Sequence, residues 1–414
     1  MSAAPFTQTV ELQSLCLRVV SGGTPSRAVP EYFEGGTIPW MKTGEVKQRF
    51  VYQTEEHITE LGLENSSAKL IPANSLVVAM YGDGDTAGNV AINKVPLTTN
   101  QACCNFVVDP HKADYRFLFH YIKANYGNLV NLKLGGSQQN LNAATLKRFP
   151  VPDVPLATQR KIAAILSAYD DLIANNQRRI ALLEGMAEEI YREWFVRMRF
   201  PGHADASWEK GRPSTWVETT LGAIASFTMG QSPSSEFYND RGEGLPFHQG
   251  VGTYGPLFPL HEVFCSQAGR LARSGDILFS VRAPVGRLNI ADIDLILGRG
   301  LAAMRHKQGK MSYLFYLLRT AFAKEDVIGN GSIFNSVGKD ELAKFPVWAP
   351  TPDLVDQFEE MVQPMDAQLS SLYRSNETLK RVRDALLPRL ISGKLKVDDL
   401  DIRLPPSMQA EVTA

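Results

Sequence analysis

Leu146-Lys147-Arg148-Phe149-Pro150-Val151 runs into Pro152 and Pro155 and then into a long stretch of helical periodicity. Leu342-Ala343-Lys344-Phe345-Pro346-Val347 does the same ahead of Pro350 and Pro352. Outward from this pair, further matches fall in the same order. Ser21-Gly22-Gly23-Thr24-Pro25-Ser26 answers to Met229-Gly230-Gln231-Ser232-Pro233-Ser234, and Ile38-Pro39-Trp40 with Gly44 answers to Leu245-Pro246-Phe247 with Gly250. The strand-like run Asn74-Ser75-Leu76-Val77-Val78-Ala79 answers to Gly275-Asp276-Ile277-Leu278-Phe279-Ser280. The chain is an internal repeat of roughly 200 residues, and a repeat of that kind constrains architecture before any single element does. Each copy reads as a mixed α/β (α+β) domain of short strands and Gly/Pro turns, closed by one long helix.

The first helix carries an apolar stripe at three-and-four spacing through Ile165, Tyr169, Leu172, Leu183 and Met186, and the second through Leu369, Leu372 and Leu379. The regularity suits a coiled-coil pair. Asn176 and Asn376 lie on the stripes, either as solvated positions or as buried residues that fix register. Pro364 predicts a kink or a fresh start in the second helix, because proline removes a backbone donor. Pro388 and Ser392-Gly393 mark its end.

With 414 residues the chain holds two or three domains, and 44% hydrophobic with 21% charged residues is ordinary for a soluble protein. A net charge of −1 neither requires nor excludes a basic face. Cys16, Cys103, Cys104 and Cys265 form no C-x-x-C pair, so neither a zinc site nor a disulfide framework is expected. No leader and no apolar run of membrane-spanning length is read, which fits a cytoplasmic setting.

The basic residues are uneven. From Arg270 through Arg319 nine Arg or Lys face three Asp, and from Lys112 through Arg148 six face one. Both stretches occupy the later part of a repeat. Lys and Arg neutralise phosphates, and Arg is the commonest reader of guanine edges. Gln138, Gln139 and Asn140 belong to a Gly-rich segment repeated at Gly329–Ser336, and such amides pair with adenine. The candidate DNA contacts are therefore Lys42, Lys133, Gln138, Gln139 and Asn140 in the first copy, and Arg282, Arg287, Arg299 and Lys307 in the second. A helix of about 35 residues spans roughly 50 Å, enough to hold two heads about one DNA turn apart.

Enzymatic motifs fail. Gly82-Asp83-Gly84-Asp85-Thr86-Ala87 is followed by strand-like Asn89-Val90-Ala91-Ile92, not by the helix a phosphate loop needs. Glu45-Val46-Lys47 has no equivalent in the second copy, no P-loop is present, and His248 and His261 read as lone structural or surface histidines. No catalytic, cofactor or metal residue is assigned.

At the helices the sequence resembles the specificity subunits of type I restriction–modification systems. The resemblance rests on Gln159-Arg160-Lys161-Ile162-Ala163-Ala164-Ile165-Leu166-Ser167, on Asp170-Asp171-Leu172-Ile173, and on Glu193-Trp194-Phe195. Arg383-Asp384-Ala385-Leu386-Leu387-Pro388-Arg389-Leu390-Ile391-Ser392-Gly393 is its most specific part. It implies two target-recognition domains, at 1–155 and 201–350, separated by two long antiparallel coiled-coil helices at 156–200 and 351–396, with a tail from 397 to 414. It further implies that each domain reads half of a split site in double-stranded DNA, and that the helices set the gap and dock two methyltransferase subunits. Restriction subunits would join through these, with S-adenosylmethionine, ATP and Mg held by the partners and no cofactor here. The helix seam would then comprise Ile165, Tyr169, Asn176, Leu183, Leu369, Leu372, Asn376 and Leu379. Two other readings stay open: the specificity half of a combined restriction–methylation enzyme outside type I, and a coiled-coil scaffold whose domains recognise protein. Tyr81-Gly82-Asp83-Gly84 has no clear twin in Arg282-Ala283-Pro284-Val285-Gly286, so contacts are not expected to pair between the copies.

Overall fold

The computed structural model describes residues 8–82, 86–132, 141–322, 336–405 and 408. Lys133, Gln138, Gln139 and Asn140 lie outside the described residues, as does most of the Gly329–Ser336 segment. The chain divides into two units, Met1–Asn175 with Glu377–Ala414, and Asn176–Asn376. The cuts run through the long helices, so each unit owns one stretch of both.

In the first unit Cys16–Ser21, Cys103–Val108, Leu76–Ala79 and Val90–Asn93 pair antiparallel in that order, with Phe50–Val51 added in parallel. Leu76-Val77-Val78-Ala79 is buried throughout, as a strand covered on both faces must be. A second sheet joins Glu56–Ile58, Ile38–Met41 and Thr98–Thr99, the last two in parallel. The second unit repeats the plan. Ala225–Met229, Leu301–His306, Ile277–Ser280 and Leu288–Ile290 form an antiparallel sheet. Leu245–His248 and Leu295–Leu297 form the parallel pair.

The registers superpose the copies residue by residue. Ser21 faces Cys104 as Met229 faces Ala302, and Trp40 faces Thr98 as Phe247 faces Ile296. They also overturn the expectation about the turn at Tyr81. Met80 N donates to Ala102 O at 2.8 Å and Val281 N to Gly300 O at 2.9 Å, so Tyr81 and Arg282 are twins. Gly88 and Gly286, at φ 92° and 91°, close the same turn, which is three residues longer in the first copy and so hid the match.

The long helices are Leu156–Tyr191 and Pro352–Ile391. Within the second unit they run antiparallel: Glu184 accepts from Tyr373 Oη at 2.9 Å, and Tyr191 meets Phe358 edge-on at 5.7 Å. Ile180, Leu369 and Leu372 are buried together, with Leu183 packed against them. Asn176 and Asn376 are buried, and Asn176 Nδ2 donates to Asn376 Oδ1 at 3.0 Å. Within the first unit Ile165 packs on the main core, while Tyr169 is half-buried. Leu379, also in the first unit, is half-buried. The stripe is narrower than its spacing suggests, since Leu172 and Met186 are 51% and 52% exposed while neighbouring Ile173 and Ala187 turn inward. The second helix runs unbroken through Pro364. Pro364 and Glu360, whose carbonyl loses its donor, are both exposed, and a solvent-facing position tolerates that loss best. The helix ends at Ile391, followed by Gly393 at φ 66°, a left-handed cap.

An aspartate fastens each domain to the helix that follows it. In the first unit buried Asp170 accepts from Arg383 at 3.0 Å and from Arg49, and His120 Nε2 lies 3.5 Å away. In the second, Tyr316 Oη donates to Asp366 at 3.0 Å. Helix Tyr115–Ala124 matches Met311–Ala321, which makes His120 and Tyr316 equivalent. Burial, then the Arg49 guanidinium, holds the His120 imidazole well below the usual range. Burial pushes the Asp366 carboxyl up to about 6 despite its hydrogen bonds from Ser312 and Tyr316. Cys103, Cys104 and Cys265 are buried and Cys16 is half-buried, and burial raises the Cys16 and Cys104 thiols to about 12.

Candidate nucleic-acid interface

The glycine shared by Ser21-Gly22 and Met229-Gly230 explains why the repeat is legible there. A Cβ at Gly22 would lie 2.0 Å from Asn100 O, and one at Gly230 would lie 2.1 Å from Gly298 O. Two chain segments therefore touch backbone to backbone. Gly22 N donates to Cys103 O at 3.0 Å and Gly230 N to Leu301 O at 2.9 Å. Gly23 N donates to Thr99 O at 2.8 Å and Gln231 N to Leu297 O at 2.9 Å. Asn100 N donates to Met41 O at 3.0 Å and Gly298 N to His248 O at 2.8 Å. Three loops are thus welded at one end of the sheets in both units.

The side chains at this end are polar. In the first unit Thr24 Oγ1 donates to Gln101 Oε1, and Lys42 sits at the end of the neighbouring strand. In the second, Ser232 Oγ donates to Gln249 Oε1 at 2.7 Å and accepts from Arg299 N at 3.3 Å. By register, Thr24 matches Ser232, Lys42 matches Gln249, and Gln101 matches Arg299. Two candidates chosen in different copies, Lys42 and Arg299, thus occupy the same loop end. Thr24, Gln101, Ser232 and Gln249 were missed, although the aligned Gly22 and Gly230 point at the first and third.

Arg282 and Arg287, both exposed, flank the turn after Ile277–Ser280 at the same end as Arg299. Ser280 Oγ accepts from Arg287 N at 2.8 Å, and Arg282 bridges to Ser336. Leu141 and Val337 occupy matching places here, since Leu141 N donates to Met80 O at 3.0 Å and Val337 N to Val281 O at 2.8 Å. A groove of about 340 Å³ opens beside Ser232, lined by Gln231, Gln267 and Arg270. Lys307 stands apart: it follows the far end of strand Leu301–His306, and its Nζ donates to Gly222 O at 2.6 Å. Lys42 is held by Glu55 at 2.9 Å and Glu56 at 3.1 Å, which raise its ammonium above the ordinary value.

The motif Glu45-Val46-Lys47 also finds its explanation. Glu45 is buried and its carboxylate caps the backbone, accepting from Lys42 N at 2.7 Å and Glu55 N at 3.0 Å. The histidines at 248 and 261, expected to be lone, are hydrogen bonded to each other at 3.0 Å. His248 ends strand Leu245–His248, and His261 lies in the segment leading into its antiparallel partner Phe264–Cys265, so the return of the chain places them side by side. Among the described residues no group of three or more His, Cys, Asp or Glu is arranged to hold a metal ion, and no helix is long and apolar enough to cross a membrane.

A duplicated domain whose two copies present equivalent polar loop ends, each fastened to paired helices, defines a two-headed recognition protein. Residues 7–185 and 213–380 match the type I restriction modification DNA specificity domain. The chain is 26% identical over 402 residues to the type I restriction enzyme MjaIX specificity subunit of Methanocaldococcus jannaschii, covering 92% of each. It is 31% identical over 172 residues to the EcoR124I/EcoR124II specificity subunit of Escherichia coli, covering 41% of each. The fold is that of the type I restriction-modification S subunit of M. genitalium, with a TM-score of 0.63, 18% identity, and 92% and 95% of the two chains covered. The chain belongs to the type I restriction–modification DNA specificity family and is the DNA-recognition part of such a complex.

Proposed function

We propose that each unit reads one half of a split, asymmetric DNA site through its welded loop end, and that the two long helices fix the unread gap and dock two methyltransferase subunits. Restriction subunits join through those. Adenine N6 methylation and ATP-driven cleavage take place in the partners, which carry S-adenosylmethionine, ATP and Mg, in the cytoplasm of a bacterial or archaeal cell. This chain supplies recognition and no reacting group.

The observation that carries this reading is the equivalence of the two loop ends, with Lys42 and Gln101 in one unit matching Gln249 and Arg299 in the other. One scaffold offering different donors and acceptors at the same positions is what two unlike half-sites require. Methylome sequencing of a host expressing the chain with its methyltransferase tests it. A bipartite methylated motif is expected; a continuous motif, or none, overturns it. On the duplex so defined, Arg299→Ala weakens binding by roughly 1–3 kcal/mol, read by fluorescence anisotropy at fixed salt, while the complex still assembles.

A further inference from the structure

Beneath the second loop end lies a chain of four polar side chains. Thr253 Oγ1 is 2.7 Å from His248 Nδ1, His248 Nε2 is 3.0 Å from His261 Nδ1, and His261 Nε2 is 3.0 Å from Asp292 Oδ1. His248 is fully buried, while His261 and Asp292 reach solvent. The chain ends under the loop itself: Gln249 follows His248, Gly300 N donates to Gln249 O at 3.0 Å, and Thr253 Oγ1 lies 3.5 Å from Gly250 O.

We infer that Thr253, His248, His261 and Asp292 form a proton-dependent hydrogen-bond chain that positions the Gln249–Thr253 loop, so that only the second half-site is read in a pH-dependent way. The inference rests on the reading of the loop ends as DNA contacts.

Proton counting gives the mechanism. A hydroxyl carries one proton and a neutral imidazole one N–H. With both rings neutral the chain runs outward: the Thr253 hydroxyl donates to His248 Nδ1, His248 Nε2–H to His261 Nδ1, and His261 Nε2–H to Asp292. The only Thr253 proton is then committed. Its contact with the Gly250 carbonyl, at 3.5 Å, sits at the long limit of a hydrogen bond. One added proton reverses the direction. His261, now with two N–H groups, donates to Asp292 and to His248 Nε2. His248 donates through Nδ1 to Thr253 Oγ1, and the hydroxyl proton becomes free for the Gly250 carbonyl. One proton is taken up, and the loop gains one hydrogen bond.

The carboxylate of the chain stands against the outer ring, with His261 Nε2 3.0 Å from Asp292 Oδ1. Burial, then His261, lowers the His248 imidazole to about 4, and the carboxylate facing the pair is that of Asp292, against His261 Nε2. Glu262, the exposed chain neighbour of His261, is the other acid adjacent to it in sequence. Imidazoles change charge between about pH 5 and 8, inside the working range of a DNA-binding assay. By register the first unit has Met41, Thr54 and Lys94 where the second has His248, His261 and Asp292, so it cannot build the chain.

The test uses labelled duplexes carrying the methylome-defined motif, and versions with either half scrambled, from pH 5.5 to 8.5 at fixed salt. As pH falls, discrimination against the scrambled second half rises by roughly two- to tenfold, while discrimination at the first half stays flat. His261→Gln flattens the second profile, and Asp292→Asn, at the solvent end of the chain, does so without touching the buried ring. Normal discrimination at both halves with a flat second profile, or a slope surviving in both variants, overturns the relay alone. No discrimination at either half overturns the reading of the loop ends and the relay with it.

Discussion

His120 and Tyr316 hold equivalent positions, yet they give the two units opposite responses to acid. His120 is kept neutral by burial, with a folded pKa well below the unfolded one near 6.5. Its contribution is present above that pH and is lost as pH falls. Asp366 has a folded pKa raised from 3.8 to about 6, so its contribution is present below 3.8 and is lost as pH rises through about 6. Asp366→Asn keeps an acceptor for the Tyr316 hydroxyl and removes the buried charge. It should stabilise the protein by about 3 kcal/mol at pH 7.5 and leave it unchanged at pH 3.5. Urea unfolding at the two pH values checks this, and equal effects at both would contradict the assignment. None of this was visible in the sequence, because the pairing of position 316 with position 366 depends on a helix docking at a particular angle. The basic residues were visible individually. Their sorting into one loop end, with Arg282, Arg287 and Arg299 together and Lys307 apart, needed the strand register.

The paired helices show how far periodicity reaches at the level of elements. Three-and-four spacing located both and put Asn176 and Asn376 on the stripe, but it could not choose between a wet and a dry position for them. Their hydrogen bond makes each the partner that the other's burial requires. Asn176→Ala leaves the Asn376 amide without its partner and should cost roughly 1–3 kcal/mol. The double change to leucine should raise the thermal midpoint above that of the parent, since a polar seam residue trades stability for register. A double variant less stable than either single one would argue that the pair does more than set register. Pro364 does not start a new helix: sequence gives the missing donor but not its surroundings, and here Glu360 and Pro364 are both exposed.

For the whole molecule, duplication was the most legible property, because it is written in residues that the backbone itself demands. Gly22 and Gly230 persist where any Cβ would strike a neighbouring carbonyl, so they survive while the contact residues between them change. The contact residues were hard to pair for the same reason: two heads that read different sequences must differ there. Exchanging residues from about 210 to 350 with those of a relative should change one half of the methylated motif and keep the other half and the gap. Methylome sequencing of the chimera decides it. Changes in both halves would mean that the units do not act separately.

The sealed thiols have a practical consequence. Cys103, Cys104 and Cys265 are inside the protein, and Cys16 and Cys104 are far from the thiolate form that reacts with maleimides. A single cysteine introduced at exposed Gly44 or Gln249 would therefore be the preferred point of attachment for a dye. The natural protein already serves as the dark background for watching either head meet its duplex.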